Sequence, residues 1–105
     1  MQLTGKQKRY LRSEANTMTP IFSIGKGGAT QEWVEEVKKA LSKRELAKVN
    51  VQQTSEWSAK DVAKFIEDNS TMTVAQVIGK TIVLYEEAKD AKYVKYSLEV
   101  NKLAK

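Results

Sequence analysis

The 105-residue sequence contains neither cysteine nor histidine. Without cysteine, the chain can form no disulfide, no thiolate nucleophile and no zinc site built on sulfur ligands. Without histidine, it lacks the commonest general base and the commonest metal ligand. These absences exclude many classes of enzyme and metalloprotein. We therefore expect a protein that is not an enzyme and has no metal, no cofactor and no small-molecule substrate.

Long apolar runs are also missing. No stretch approaches the roughly 20 apolar residues of a membrane helix, and residues 1–6 lack the apolar centre of a secretory signal. We expect a cytoplasmic protein with no membrane partner, and a monomer is favoured.

Hydrophobic residues make up 41% of the chain and charged residues 30%. This balance is typical of one domain with one modest core.

Positive charge is concentrated near the start of the chain. The net charge is +5, and residues 1–50 carry the whole excess. The first 26 residues contain one acidic residue, Glu14, and five basic ones: Lys6, Lys8, Arg9, Arg12 and Lys26. This asymmetry favours a polyanionic partner. The alternative is ordinary surface charge that keeps a small domain soluble.

The first predicted helix places most of this charge on one face. Thr4 and Gln7 have the spacing of a capping box, which predicts a helix from there to about residue 16. At 100° per residue, one side carries Leu3, Gln7, Tyr10, Leu11 and Ala15. The opposite side carries Lys6, Lys8, Arg9 and Arg12 within an arc of about 160°. Because a merely solvated face usually mixes signs, we interpret this cationic face as a binding surface.

The remaining pattern predicts alternating helices and strands. Strands are predicted over 20–24, 46–51, 72–78 and 81–85. One further helix is predicted after the capping residue Thr30, and another over 59–68 after the capping residue Ser58. Gly79-Lys80 is a two-residue hairpin turn. The order α-β-α-β-α-β-β predicts an α/β domain of two or three layers with a mixed four-stranded sheet and an antiparallel final hairpin.

Residues 86–105 follow a different pattern. Residues 94–100 alternate like a strand, whereas Tyr93, Tyr96, Val100 and Leu103 have helical spacing. Both interpretations stay open from the sequence. We treat this charged segment as an appendage to a domain of residues 1–85.

A glycine-rich loop joins the first predicted strand to the second helix. Its residues are Gly25, Lys26, Gly27 and Gly28. Glycines permit a tight turn and close approach of a phosphate to backbone N–H groups at a helix N-terminus. The loop lacks the spacing of a P-loop or of a dinucleotide-binding fingerprint. It has the Gly-x-x-Gly form with which KH domains hold a nucleic-acid backbone, and Lys80 could extend the same surface.

Three motifs resemble those of a known family. They are Leu11-x3-Ala15-x4-Pro20-x3-Ile24-Gly25-Lys26-Gly27-Gly28, Glu45-Leu46-x-Lys48-Val49-x-Val51, and Val77-Ile78-Gly79-Lys80-x-Ile82-Val83-Leu84-Tyr85. In this order they resemble the CRM domain, the chloroplast RNA splicing and ribosome maturation module, in its free-standing bacterial YhbY-like form. The resemblance covers residues 3–85. It implies a fold like the C-terminal domain of translation initiation factor three, RNA binding through the Gly-x-x-Gly loop, and association with precursors of the large ribosomal subunit.

The sequence therefore predicts a non-catalytic RNA-binding protein, with ribosomal RNA as the partner that the resemblance implies. The predicted contacts are Lys6, Lys8, Arg9, Arg12, Gly25, Lys26, Gly27, Gly28 and Lys80. One alternative is a protein-interaction adaptor that adds its C-terminal segment as a strand to a partner's sheet. A DNA-binding module is a third possibility, although no recognition helix with base-reading residues is evident.

Overall fold

The computed structural model describes residues 2–104. Along the chain the elements are α1 (Gly5–Ala15), β1 (Phe22–Ile24), α2 (Gln31–Leu41), β2 (Leu46–Val51), α3 (Ala59–Asp68), β3 (Thr73–Ile78), β4 (Thr81–Tyr85), a 3-10 turn (Ala91–Tyr93) and α4 (Ser97–Lys102). The predicted order up to residue 85 is confirmed. Among residues 2–104, no helix combines the length and the apolar character needed to cross a membrane.

The four strands form one mixed sheet in the order β1-β2-β4-β3. β1 pairs with β2 in parallel, and β4 is antiparallel to both β2 and β3. The final hairpin therefore inserts its second strand between β2 and β3. Gly79, in the turn of this hairpin, has a φ of 55°, a conformation that glycine adopts without a steric penalty.

β1 is shorter than predicted. The strand begins at Phe22, so Pro20 and Ile21 lie outside it, and Ile21 is 38% exposed. β1 is an edge strand of three residues, and all three pair with β2, from Phe22 with Val49 to Ile24 with Val51. The predicted strand exists, but its start at residue 20 and its full burial were wrong, because a short apolar run does not reveal that a strand lies at the edge of a sheet.

Side-chain capping positions the helices as predicted. Thr4 and Gln7 form a capping box at α1, Thr30 accepts a hydrogen bond from the Trp33 N–H at α2, and Ser58 forms a capping box at α3. Such caps satisfy N–H groups that have no partner within the helix.

Helices cover both faces of the sheet, giving three layers. One core cluster joins α2 and α3 to the sheet through Val34, Leu41, Val49, Ile66 and Ile82. A second cluster lies on the opposite face, where residues of α1 and α4 pack against β2, β3 and β4. Its buried members are Leu3, Leu11, Ala15, Leu46, Ala75, Val83, Tyr85, Tyr96 and Val100.

The C-terminal segment is helical where two alternatives were open. Ser97–Lys102 forms α4, and Tyr96 and Val100 are buried in the second cluster. The Gln7 side-chain amide donates a 2.8 Å hydrogen bond to the Val100 carbonyl, which joins α1 to α4. The strand required by the adaptor alternative is not formed over residues 97–102. The division of the chain at residue 85 stays a prediction.

A single buried carboxylate holds this segment in place. Glu45 lies between α2 and β2 with a φ of 66°, which is unusual for a residue other than glycine. Its side chain accepts hydrogen bonds from the N–H groups of Ala88, Lys95, Tyr96 and Ser97 and from the Ser97 hydroxyl, at 2.6–3.0 Å. The chain from residue 88 to residue 97 is thus folded around one anion.

Candidate nucleic-acid interface

The cationic face of α1 is exposed, as the sequence predicts. Gln7, Leu11 and Ala15 are the buried residues of this helix, and this fixes its rotation about its own axis. Four cations consequently lie at exposed positions: Lys6, Lys8, Arg9 and Arg12. None of them belongs to an ion pair between described residues. Their charge is therefore available to an anionic ligand.

The sheet topology brings the other predicted residues to one end of the sheet. The Gln52 N–H donates to the Ile24 carbonyl at 2.8 Å, and the Val51 N–H donates to the Lys80 carbonyl at 2.7 Å. The glycine loop, the chain after β2 and the β3–β4 turn therefore lie side by side. Lys26 and Lys80, which are 54 positions apart in sequence, are both exposed at this end.

Gly28 is required for packing within the protein. Its φ is 69°, and a Cβ atom built there would lie 2.6 Å from Nε1 of Trp57. The Gly28 N–H also donates to the Gly25 carbonyl at 3.1 Å, which closes the turn. The phosphate contact at Gly28 stays a prediction, whereas the structure shows that the missing side chain accommodates the Trp57 indole ring.

Gly27 is the glycine of this loop whose backbone has open space beside it. A Cβ atom at Gly27 would meet nothing within 4 Å, whereas one at Gly25 would lie 3.2 Å from the Gln52 side-chain oxygen. The Trp33 N–H at the start of α2 is already bonded to the Thr30 hydroxyl. Open backbone in this loop therefore lies at Gly27, next to the exposed Lys26, and the Trp33 N–H group already has a partner.

A small groove connects α1 to the hairpin. It has a volume of about 160 Å³ and is lined by Arg12, Ala15, Asn16, Lys48, Gln76, Ile78, Thr81 and Val83. Arg12 thereby lies near the turn that carries Lys80. Lys6 lies in the first turn of α1 and, at about 1.5 Å of rise per residue, is displaced from Arg12 by about 9 Å along the axis.

Lys48 belongs to this groove, although we did not predict it. Its ammonium group donates to the Met18 carbonyl at 3.1 Å. The alternation of side chains along β2 could have predicted the position of Lys48, because Ala47, Val49 and Val51 pack in the core formed with α2 and α3. A lysine between Ala47 and Val49 must therefore lie on the α1 face of the sheet.

Comparisons with known proteins match this chain to one domain family. The family model of the CRS1/YhbY (CRM) domain matches residues 3–86. The chain is 48% identical over 92 residues to "Probable RNA-binding protein YqeI" of Bacillus subtilis, covering 88% of this chain and 96% of that protein. It is 30% identical over 90 residues to an "RNA-binding protein" of Haemophilus influenzae, covering 86% and 91%.

A solved structure has the same fold. The solution structure of the hypothetical protein SAV1595 from Staphylococcus aureus matches with a TM-score of 0.72 and 42% sequence identity. The match covers 90% of this chain and 98% of that one. The sequence motifs, the three-layer fold and these matches lead to one conclusion. This chain belongs to the CRS1/YhbY (CRM) domain family.

Proposed function

We propose that this protein is a non-catalytic, cytoplasmic RNA-binding protein that associates with precursor large-subunit ribosomal RNA. RNA binding is supported by two relatives that are named as RNA-binding proteins and are matched over most of their length. The ribosomal target is supported by the family resemblance of the three motifs, which extend from Leu11 to Tyr85.

The observation that carries the proposal is a set of cations around the glycine loop and α1 that form no ion pair with any residue from 2 to 104. Arg12, Lys26 and Lys80 lie on elements that the fold brings together. Lys and Arg side chains release counterions from a nucleic acid when they contact its phosphates, and this release dominates binding that is independent of sequence. The adjacent open backbone at Gly27 allows close approach of a phosphate.

RNA shape is the expected basis of any selectivity. The two aromatic contacts between described rings, Phe22 with Trp33 and Trp57 with Phe65, lie against the apolar core. These rings therefore differ from the exposed aromatic platforms on which RRM domains stack bases. A domain that binds mainly through phosphates recognises the path of the RNA backbone, and that path is set by the shape of the RNA.

The test is to sequence the RNA that is cross-linked to the protein in living cells. Recovery of precursor large-subunit ribosomal RNA is the expected result. A matched experiment with Lys8→Gln, Arg12→Gln should recover less of the same RNA. The proposal fails if mainly messenger RNA is recovered, or if the wild-type protein and the variant yield equal amounts.

A further inference from the structure

A second group of cations lies away from the glycine loop, at the end of the sheet where β2 begins. A groove of about 520 Å³ is lined by Met18, Ala40, Lys43, Arg44, Lys95 and Tyr96. A neighbouring groove of about 310 Å³ follows the chain between α1 and β1 and shares Met18 and Arg44 with the first. The cations come from the α2–β2 connection and from the C-terminal segment.

These grooves are continuous with the groove beside α1. Lys48 lines both the 310 Å³ groove and the groove that contains Arg12. Five cations therefore follow one path across the surface, which we call the basic track: Arg12, Lys48, Arg44, Lys43 and Lys95. The fold creates this path, because its members lie in three separate parts of the sequence.

The basic track contains no acidic residue. None of the residues that line its three grooves is aspartate or glutamate. Lys43, Arg44 and Lys95 are exposed, and none of them has an ion pair between described residues. Two other grooves contain Glu86 and Glu87 beside their lysines, and Lys43 also lines one of these two grooves. The side chains that line the track are thus basic with no acid among them. The buried Glu45 carboxylate, next to Arg44 in the chain, accepts hydrogen bonds from the backbone N–H groups of Lys95 and Tyr96.

We propose that the basic track binds a second segment of the same RNA that contacts α1 and the glycine loop. This inference rests on the proposed function. A phosphate backbone fits a path of separated cations, because each cation can pair with one phosphate and release counterions. Arg12 belongs to both surfaces, so a single strand can continue from one to the other.

The dimensions of β2 set the span of this contact. β2 has six residues, so at about 3.3 Å per residue its two ends are about 17 Å apart. The glycine loop lies beside its C-terminal end, and Arg44 precedes its N-terminal end. An RNA segment that contacts both surfaces must therefore span about 17 Å between them.

The test compares salt dependence for three proteins. The track variant is Lys43→Gln, Arg44→Gln, Lys95→Gln. The control is Lys39→Gln, Lys60→Gln, Lys64→Gln, which removes the same charge from exposed positions of α2 and α3. Affinity for a structured fragment of precursor large-subunit RNA is measured at four salt concentrations, and circular dichroism checks that each variant is folded.

We expect the slope of log affinity against log salt to become shallower by about two units in the track variant, since each lost phosphate contact contributes about 0.7–0.9. At 0.1 M salt its affinity should fall by about 10- to 100-fold, and the control slope should match the wild type. If the wild type has a steep slope and the track variant has the same slope, the inference is overturned. The proposed function is not affected by that result. Equal losses in the track and control variants would also overturn it. If the wild type shows no salt-dependent RNA binding, the proposed function fails as well.

Discussion

Glu45→Gln is expected to remove a large part of the stability of this protein. The wild-type carboxylate is fully buried and accepts four backbone N–H bonds and one hydroxyl bond from residues 88–97. A glutamine side chain has nearly the same shape but no charge, and its NH₂ group would face N–H donors. Buried donors that lose their acceptor cost about 1–3 kcal/mol each, although such costs are not additive.

The pKa of Glu45 gives the magnitude. Burial raises this pKa, but hydrogen bonds from the Ala88 N–H, the Ser97 hydroxyl and the Lys95 and Ser97 N–H groups outweigh that effect and lower it from 4.5 to about 2. At 1.36 kcal/mol per pKa unit, the ionised carboxylate contributes about 3 kcal/mol to folding at neutral pH. Because the folded pKa is the lower one, this stability is complete above about pH 5 and is lost as the pH falls towards 2. About half of this stability or less remains at pH 3.

Urea denaturation of the wild type and of Glu45→Gln at pH 7 and pH 3 tests this reasoning. The difference in the free energy of unfolding should be about 3 kcal/mol at pH 7 and about half of that or less at pH 3. A loss of this size corresponds to a fall in Tm of roughly 12–24 °C for a domain of this length. A difference below about 1 kcal/mol at pH 7, or one that does not change with pH, would refute the assigned role of the carboxylate.

Substitutions of Glu45 by alanine and by glycine separate the contribution of its side chain from that of its backbone conformation. Both Glu45→Ala and Glu45→Gly remove the carboxylate, but the φ of 66° penalises alanine and not glycine. Glu45→Gly should therefore be more stable than Glu45→Ala by about 1 kcal/mol in the same urea experiment. Equal stability would mean that the backbone conformation relaxes in the variants.

Further predictions concern the loop and the C-terminal helix. Gly28→Ala should destabilise the fold by about 1–3 kcal/mol and alter Trp57 fluorescence, because the new Cβ meets the indole ring at a positive φ; an unchanged spectrum and Tm would contradict this contact. Gly27→Val should leave Tm almost unchanged, since nothing lies within 4 Å of a Cβ atom built at this position. The same variant should reduce RNA affinity several-fold, because the valine side chain would block the approach of a phosphate to the backbone. Normal affinity would show that this glycine is not part of the interface. Val100→Ala should cost about 2 kcal/mol in urea denaturation because Val100 is fully buried in the second cluster, and a cost near zero would show that α4 adds no stability.

The sequence predicted those elements that have strong local signals. The bounds of β2, α3 and β4 agree with the prediction, because caps such as Ser58 and regular apolar periods mark them. Local patterns could not predict the role of Glu45. In the charged run from residue 43 to residue 45 it resembles a surface acid, whereas its hydrogen-bond partners lie 43–52 positions away.

In the candidate site, too, local patterns predicted some residues, whereas others are brought together only by the fold. Helical periodicity was sufficient to place Lys8 and Arg12 on the exposed face of α1, because that argument needs only the buried face of one helix. The grouping of Lys43, Arg44 and Lys95 was not predictable. It depends on the path of the chain between α1 and β1 and on the folding of the C-terminal segment around Glu45.

The most direct test of RNA binding through α1 is the salt dependence of RNA affinity for the wild type and for Lys8→Gln, Arg12→Gln. Both residues are exposed, so stability should change by less than about 0.5 kcal/mol, and Lys39→Gln, Lys64→Gln is the control with equal charge. If both residues contact phosphates, the slope of log affinity against log salt should shrink by about one to two units relative to the wild type and the control. A slope equal to that of the wild type would show that α1 does not contact RNA.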